Sequence, residues 1–137
     1  MSVEENKKLV RRYQEIYNSN DLEALSEVVS EDLLTPKIMP GIPAGIEGAK
    51  TAHQIMLAGF PDYQTAIDDL IAEGDKVAVR ITMSGTHTGS FMGIPPTGKR
   101  ISFTGMYVAR VDDGKIVEHW GEEDGVSLLQ QLGVLSL

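Results

Sequence analysis

Cysteine is absent from this chain. Disulfides, thiolate metal sites and cysteine nucleophiles are therefore excluded, and the redox compartment leaves no trace in the sequence. Aromatic residues are scarce, 6% of the chain with a single tryptophan. Basic residues are also in short supply: 12 lysines and arginines face 20 aspartates and glutamates, a net −8 with histidine neutral. Such a chain lacks the cationic footprint that nucleic acids and anionic membranes require. No apolar run approaches the ~18 residues of a membrane span. The charged opening MSVEENKKLVRR is followed by no apolar segment of the signal-peptide kind. The expectation is a cytoplasmic protein that binds neither nucleic acid nor membrane.

What is present is ordinary globular material: 137 residues, 42% hydrophobic and 23% charged. That fits one domain over 1–137, with a core large enough to need no staples. The first half has helical periodicity. Ser2 and Glu5 form a capping box, and Leu9, Val10, Tyr13, Ile16 and Tyr17 recur as one apolar stripe. Asn18 to Asp21 breaks that helix. A second is expected from Asp21, with Leu22, Leu25, Val28 and Val29 buried, and a third over about Ile46 to Gly59, with His53, Met56 and Phe60 on one side. Between them, Thr35 to Gly45 is rich in proline and glycine, and its Ile38, Met39 and Ile42 suggest a loop that covers something.

The second half alternates with the period of strands. Tyr63, Thr65 and Ile67 begin one, Glu73-Gly74-Asp75 turns, and Val77, Val79, Ile81 and Met83 mark the next. Gly89 to Gly98 is a long excursion holding three glycines and two prolines. Strands over Arg100 to Val111 and Lys115 to Glu122 follow, joined at Asp113-Gly114, and a short C-terminal helix carries Val126, Leu128, Leu129 and Leu132. Helices first and antiparallel strands second make an α+β pattern, with helices on one face of a sheet.

The Asp113-Gly114 turn sets a register. Counting outward pairs Val111 with Ile116, Ala109 with Glu118, Tyr107 with Trp120, Gly105 with Glu122 and Phe103 with Asp124. One face then carries Phe103, Tyr107 and Trp120 together with Glu118, Glu122 and Asp124. Val108, Met106, Val117, His119 and Arg110 fall on the other. Aromatic bulk mixed with carboxylates suits a ligand pocket, with apolar walls and a few orienting polar groups. Desolvation there raises a carboxylate's pKa toward a useful acid/base range. Asp124 is also well placed to cap the last helix, and both roles are open for it.

The segments FMGIPPTGKRISFTG, DDGKI and EHWGEEDGVSLLQQLGV resemble the SnoaL-like polyketide cyclase family of the NTF2-like superfamily. The resemblance runs along nearly the whole chain, from the N-terminal helices through the loop at 93–98 to the tail at 118–134. It implies a cone-shaped α+β barrel, with N-terminal helices packed on a strongly curved antiparallel sheet around a pocket. It also implies ring closure of polyketides by intramolecular aldol condensation, without metal or organic cofactor, with an acidic residue as acid/base. The family's tail aspartate, four places after the tryptophan, matches Asp124.

The expected function is acid/base chemistry on a small hydrophobic carbonyl compound, of cyclase or isomerase type. Asp124 would move the proton, and Tyr107 or His87 would donate to the enolate oxygen. Trp120, Phe103, Phe91, Glu118 and Met56 would line the substrate. The alternative is a binding protein of the same fold without turnover. His53, His87 and His119 have no metal-ligand spacing, and the glycines at 85, 89, 93 and 98 make no phosphate-binding fingerprint, so no metal site and no cofactor are expected. Apolar Val108, Met106 and Val117 on the far face of the sheet predict a homodimer.

Overall fold

The computed structural model describes residues 2–35 and 41–136; Ile38 and Met39 of the predicted covering loop lie outside them. Helix α1 spans Val3–Ser19 and opens on the predicted capping box, with the Glu5 amide donating to Ser2 Oγ at 3.1 Å and the Ser2 amide to Glu5 Oε1 at 3.1 Å. It ends at Asn20, which adopts the left-handed conformation that terminates helices. A short 3-10 helix, Leu22–Glu27, follows, then strand β1, Val29–Leu34. Helix α2 is Gly45–Gly59, and strands β2 to β4 are Gln64–Glu73, Lys76–Thr86 and Arg100–Asp112. Strand β5, Lys115–Glu123, and helix α3, Gly125–Gln131, complete the chain.

The predicted second helix is corrected here. Helical structure stops at Glu27, and β-branched Val28 and Val29 lead into an extended segment. The edge of β5 accepts that segment, the Ile116 amide donating to the Val28 carbonyl at 2.7 Å. Tertiary pairing thus overrides a local pattern compatible with either state. The pairing is parallel, so the sheet is mixed rather than purely antiparallel.

The cone-shaped barrel is corrected as well. Strand order is β1-β5-β4-β3-β2, with β1 and β2 as unjoined edges, and the sheet is neither closed nor strongly curled. Closure would need those edges to pair. The α+β class stands, with α1 against β2 and β3 and α2 against β1. Val10, Ile16, Leu25, Val77, Val79, Ile101 and Ile116 are fully buried in one continuous cluster.

The β4–β5 register departs from a simple count. Asp112 pairs with Lys115 and Val111 with Ile116, as the turn dictates, but Arg110 pairs with Glu118. Val117 is an extra residue, a β-bulge, and it reverses the phase of everything beyond it. Ala109 therefore faces His119, Tyr107 faces Gly121, Gly105 faces Glu123 and Val108 faces Trp120. The predicted inward phase of β4 holds, with Phe103, Tyr107, Ala109 and Val111 buried. The predicted phase of β5 is inverted beyond Ile116.

The excursion between β3 and β4 is pinned at its ends. The His87 amide donates to the Lys99 carbonyl at 2.9 Å, and the Gly98 amide to the His87 carbonyl at 2.8 Å. The Gly89 amide donates to the Gly59 carbonyl at 3.1 Å, holding the loop against the end of α2. A side chain at 89 would place its Cβ 1.9 Å from the Ala58 carbonyl oxygen, so this approach requires glycine.

Candidate functional site

A cavity of about 500 Å³ lies between the inner face of the sheet and the two long helices. Its walls are mostly apolar: Leu33, Ile42, Met56, Ile81, Met83, Phe91, Phe103 and Leu128. Its polar groups are few. Tyr13, Gln14 and Tyr17 enter from α1, Thr35 from the end of β1, His53 from α2, Tyr63 and Thr65 from the start of β2, and Tyr107, His119, Glu122 and Glu123 from β4 and β5. The helical stripe of α1 is what delivers the first three. Tyr13 and Tyr17 are one turn apart on the face turned to the sheet, and Gln14 lies beside them.

Two hydrogen-bonded chains order these groups. In one, the Tyr13 hydroxyl lies 3.0 Å from His119 Nδ1 and 3.2 Å from the Tyr17 hydroxyl. In the other, the Tyr107 hydroxyl donates to Gln14 Oε1 at 2.9 Å, and Gln14 Nε2 donates to Thr65 Oγ1 at 2.7 Å. The imidazole of His119 stacks on the Tyr107 ring, with centroids 4.4 Å apart and planes 16° from parallel. His53 lies against Tyr17 and Tyr63 and bonds Asn20 Oδ1 through Nε2 at 2.9 Å.

Removal from water governs the titration of these groups. It pushes His119 down to about 4, so its imidazole is neutral near neutral pH. It also lowers His53 and raises the Glu123 carboxyl. The phenols of Tyr13, Tyr63 and Tyr107 are raised by burial, and Tyr17 is pushed up to about 12, so all four stay protonated. Among the described residues, no three histidines, aspartates or glutamates come together to hold a metal ion.

The structure brings only some of the sequence-predicted residues here. Phe103, Phe91, Met56 and Tyr107 line the cavity, although the Tyr107 proton is directed at Gln14. Trp120 does not. The bulge turns it to the outer face, half exposed, where its indole donates to Glu118 Oε2 at 3.2 Å. Glu118 is on that face too, accepting from Arg110 at 3.1 Å, and the two bonds hold its carboxyl below the usual range. His87 is fully buried outside the cavity, its Nδ1 accepting from the Thr97 amide at 3.2 Å. Asp124 follows the end of β5 beside Thr104 rather than Phe103, and its Oδ1 accepts from the Ser127 amide at 3.0 Å as the N-cap of α3.

Regular counting from the turn puts His119 on the outer face and leaves Glu123 out of the pocket set, because a one-residue bulge has no strong sequence signature. Tyr13 and Tyr17 stand in the apolar stripe read from the sequence, whereas Gln14, next to Tyr13, does not. Two phenols and an amide on a buried face are more polar than a core requires, and that was the available signal.

An open mixed sheet whose helices roof an apolar cavity, with buried phenols, imidazoles and carboxylates among its few polar groups, defines a small-molecule site. The profile of the SnoaL-like polyketide cyclase family matches residues 7–132, and the chain belongs to that family. The aklanonic acid methyl ester cyclase DnrD of Streptomyces peucetius is 29% identical over 129 residues, 91% of this chain and 88% of that protein. The nogalonic acid methyl ester cyclase of Streptomyces nogalater is 29% identical over 119 residues, 85% of this chain and 89% of that protein. The solved structure of TsrD from Streptomyces laurentii is similar with a TM-score of 0.89 at 31% identity, covering 98% of this chain and 99% of that one. Among the described residues, no helix is long and apolar enough to cross a membrane.

Proposed function

We propose that this protein is a small cyclase that closes a ring in a hydrophobic, polyketide-like ester by intramolecular aldol condensation. The observation that carries the reading is the cavity itself, apolar in its walls and holding neutral proton donors beside a carboxylate. Two relatives named as methyl ester cyclases support the substrate class. A carboxylate takes a proton from the carbon next to a carbonyl, and the resulting enolate carbon bonds to a second carbonyl carbon. The alkoxide then takes the proton back from the carboxylic acid. The product is an isomer of the substrate, so the reaction draws on no oxidant, reductant or added group.

Asp124 carries the acid/base role in this reading, at the position to which the family resemblance points. Its neighbours Glu123 and Leu128 both line the cavity. Releasing the Ser127 amide to turn inward costs about 1 kcal/mol, the usual worth of such a cap. Glu123 is the second carboxylate at this rim, and its raised pKa suits it to hold a proton. Incubation with aklanonic acid methyl ester, followed by chromatography for an isomeric product, tests the function. Asp124→Asn keeps the cap and should abolish turnover. If Glu123→Gln abolishes it instead, the role moves one residue. Saturable binding of the ester with no product would leave a binding protein.

A homodimer through the outer sheet face is part of the same proposal. Val108 and Trp120 stand 37% and 50% exposed as paired residues on neighbouring strands there and form an apolar patch, and Met106, which also borders the cavity, is 54% exposed beside them.

A further inference from the structure

The proposed reaction needs a hydrogen-bond donor for the enolate oxygen, and neither sequence-predicted donor is available. The Tyr107 proton is directed at Gln14, and His87 lies outside the cavity. We propose that His119, held as the Nε2–H tautomer by the Tyr17–Tyr13 pair, is the neutral donor that binds the substrate's carbonyl and enolate oxygen.

The hydrogen-bonded chain Tyr17–Tyr13–His119 has two possible directions. In one, Tyr17 donates to Tyr13 and Tyr13 donates to Nδ1, which leaves the ring proton on Nε2. In the other, Nδ1–H donates to Tyr13, which leaves a bare lone pair on Nε2. A phenol is a much stronger acid than a neutral imidazole N–H, and an imidazole nitrogen is a much stronger base than a phenol oxygen. The first direction pairs the better donor with the better acceptor. Both phenols keep their protons because burial raises them, so the chain is supplied with donors throughout the physiological range.

The free edge of the ring is open to a ligand. Nε2 has no hydrogen-bond partner among the described residues. It points toward Gly121, where a Cβ would stand only 3.3 Å from it. Glycine at 121 therefore leaves the approach to Nε2 uncovered, between His119 and Glu123 on the cavity side of β5. The ring plane is fixed by stacking on Tyr107 and by Tyr13 at Nδ1. Burial keeps the imidazole from protonating near neutral pH, so it donates without becoming a cation. A neutral donor suits the task, since it stabilises an oxyanion without surrendering its proton to it. In balance, the C–H proton goes to the carboxylate, Nε2–H is shared with the enolate oxygen and retained, and one C–C bond forms. His119 would touch substrate, whereas Tyr13 acts through it as a positioning residue.

This inference rests on the cyclase reading for its reaction, but its test does not need turnover. Histidine labelled with 15N is examined by long-range proton–nitrogen correlation near neutral pH, with His119 assigned by its loss in His119→Gln. The expected result is a pyridine-like Nδ1 and a pyrrole-like Nε2. The reverse pattern, or a cationic ring, overturns the proposal. Tyr13→Phe should give a mixture of tautomers, and an unchanged pure Nε2–H form removes Tyr13 from the assignment. Binding of 2-naphthol, whose oxygen stands in for an enolate's, provides the ligand arm. His119→Leu should weaken it about ten-fold, the usual worth of one such hydrogen bond. His119→Gln, which keeps an N–H near the Nε2 position, should stay within about three-fold of wild type. Equal affinity of His119→Leu and wild type overturns the donor role. Should these results hold while no ester is cyclised, the cyclase reading fails and the oxyanion site remains.

Discussion

Burying a neutral imidazole makes stability depend on pH in a way that one substitution can isolate. His119 ordinarily titrates near 6.5 and is pushed down to about 4 when removed from water. Between those two values the unfolded chain binds a proton that the folded chain refuses. The group's contribution is therefore whole above 6.5 and is lost as pH falls toward 4. At about 1.4 kcal/mol per pH unit, the full gap is worth about 3 kcal/mol. His119 is partly open to cavity solvent, which brings the figure to roughly 2 kcal/mol. The acid limb of the wild-type curve mixes several groups. His53, also lowered, acts in the same direction, whereas Glu123, raised by burial, adds stability as pH falls. Subtracting the curve for His119→Gln removes both. Urea unfolding of the two proteins from roughly pH 7 to about pH 4.5 should show wild type losing roughly 2 kcal/mol relative to the variant. Parallel curves would refute the reasoning, because they would mean that His119 titrates alike in folded and unfolded chains.

Gly89→Ala should destabilise the fold by about 2–4 kcal/mol in chemical denaturation, since the added carbon meets the Ala58 carbonyl and must push the β3–β4 loop off α2. An unchanged denaturation midpoint would show that the loop moves freely. Asp124→Ala should cost about 1 kcal/mol by removing the α3 cap, and Asp124→Asn much less; equal losses would mean that the cap contributes nothing. Replacing Trp120 and Val108 with serine should shift sedimentation from dimer to monomer while leaving 2-naphthol affinity within about two-fold. A wild type that sediments as a monomer at micromolar concentration contradicts the dimer.

Much of this fold is legible without coordinates because its signals are local. The Ser2–Glu5 capping box, the glycines at 74 and 114 and the alternation from Val77 to Met83 each determine their own short stretch of chain. The parts that could not be read depend on distant partners. Val28 and Val29 fit a helix face as well as a strand, and only the free edge of β5 decides between them. Whether the sheet closes depends on two edges remote in sequence, which no periodicity reports. For the site, β4 could be read because its alternation is unbroken from Ile101 to Val111. Beyond Val117 the same counting gave Trp120 and Glu118 in place of His119 and Glu123, because the bulge shifts every later residue by one.

That extra residue also decides which groups β5 offers the cavity. Drawing Val117 into regular pairing opposite Arg110, with nothing added or removed, would put Glu118 opposite Ala109 and Trp120 opposite Tyr107. Glu118 and Trp120 would then take the inward phase, and His119, Gly121 and Glu123 the outward one. Deleting Val117 would have no such effect, because Arg110 and Ala109 would keep Glu118 and His119 as their partners. Point substitutions alter one wall group at a time, whereas a one-residue slip of this strand exchanges a set. Two chains with the same residues in this hairpin therefore present different groups to a ligand wherever the bulge falls differently.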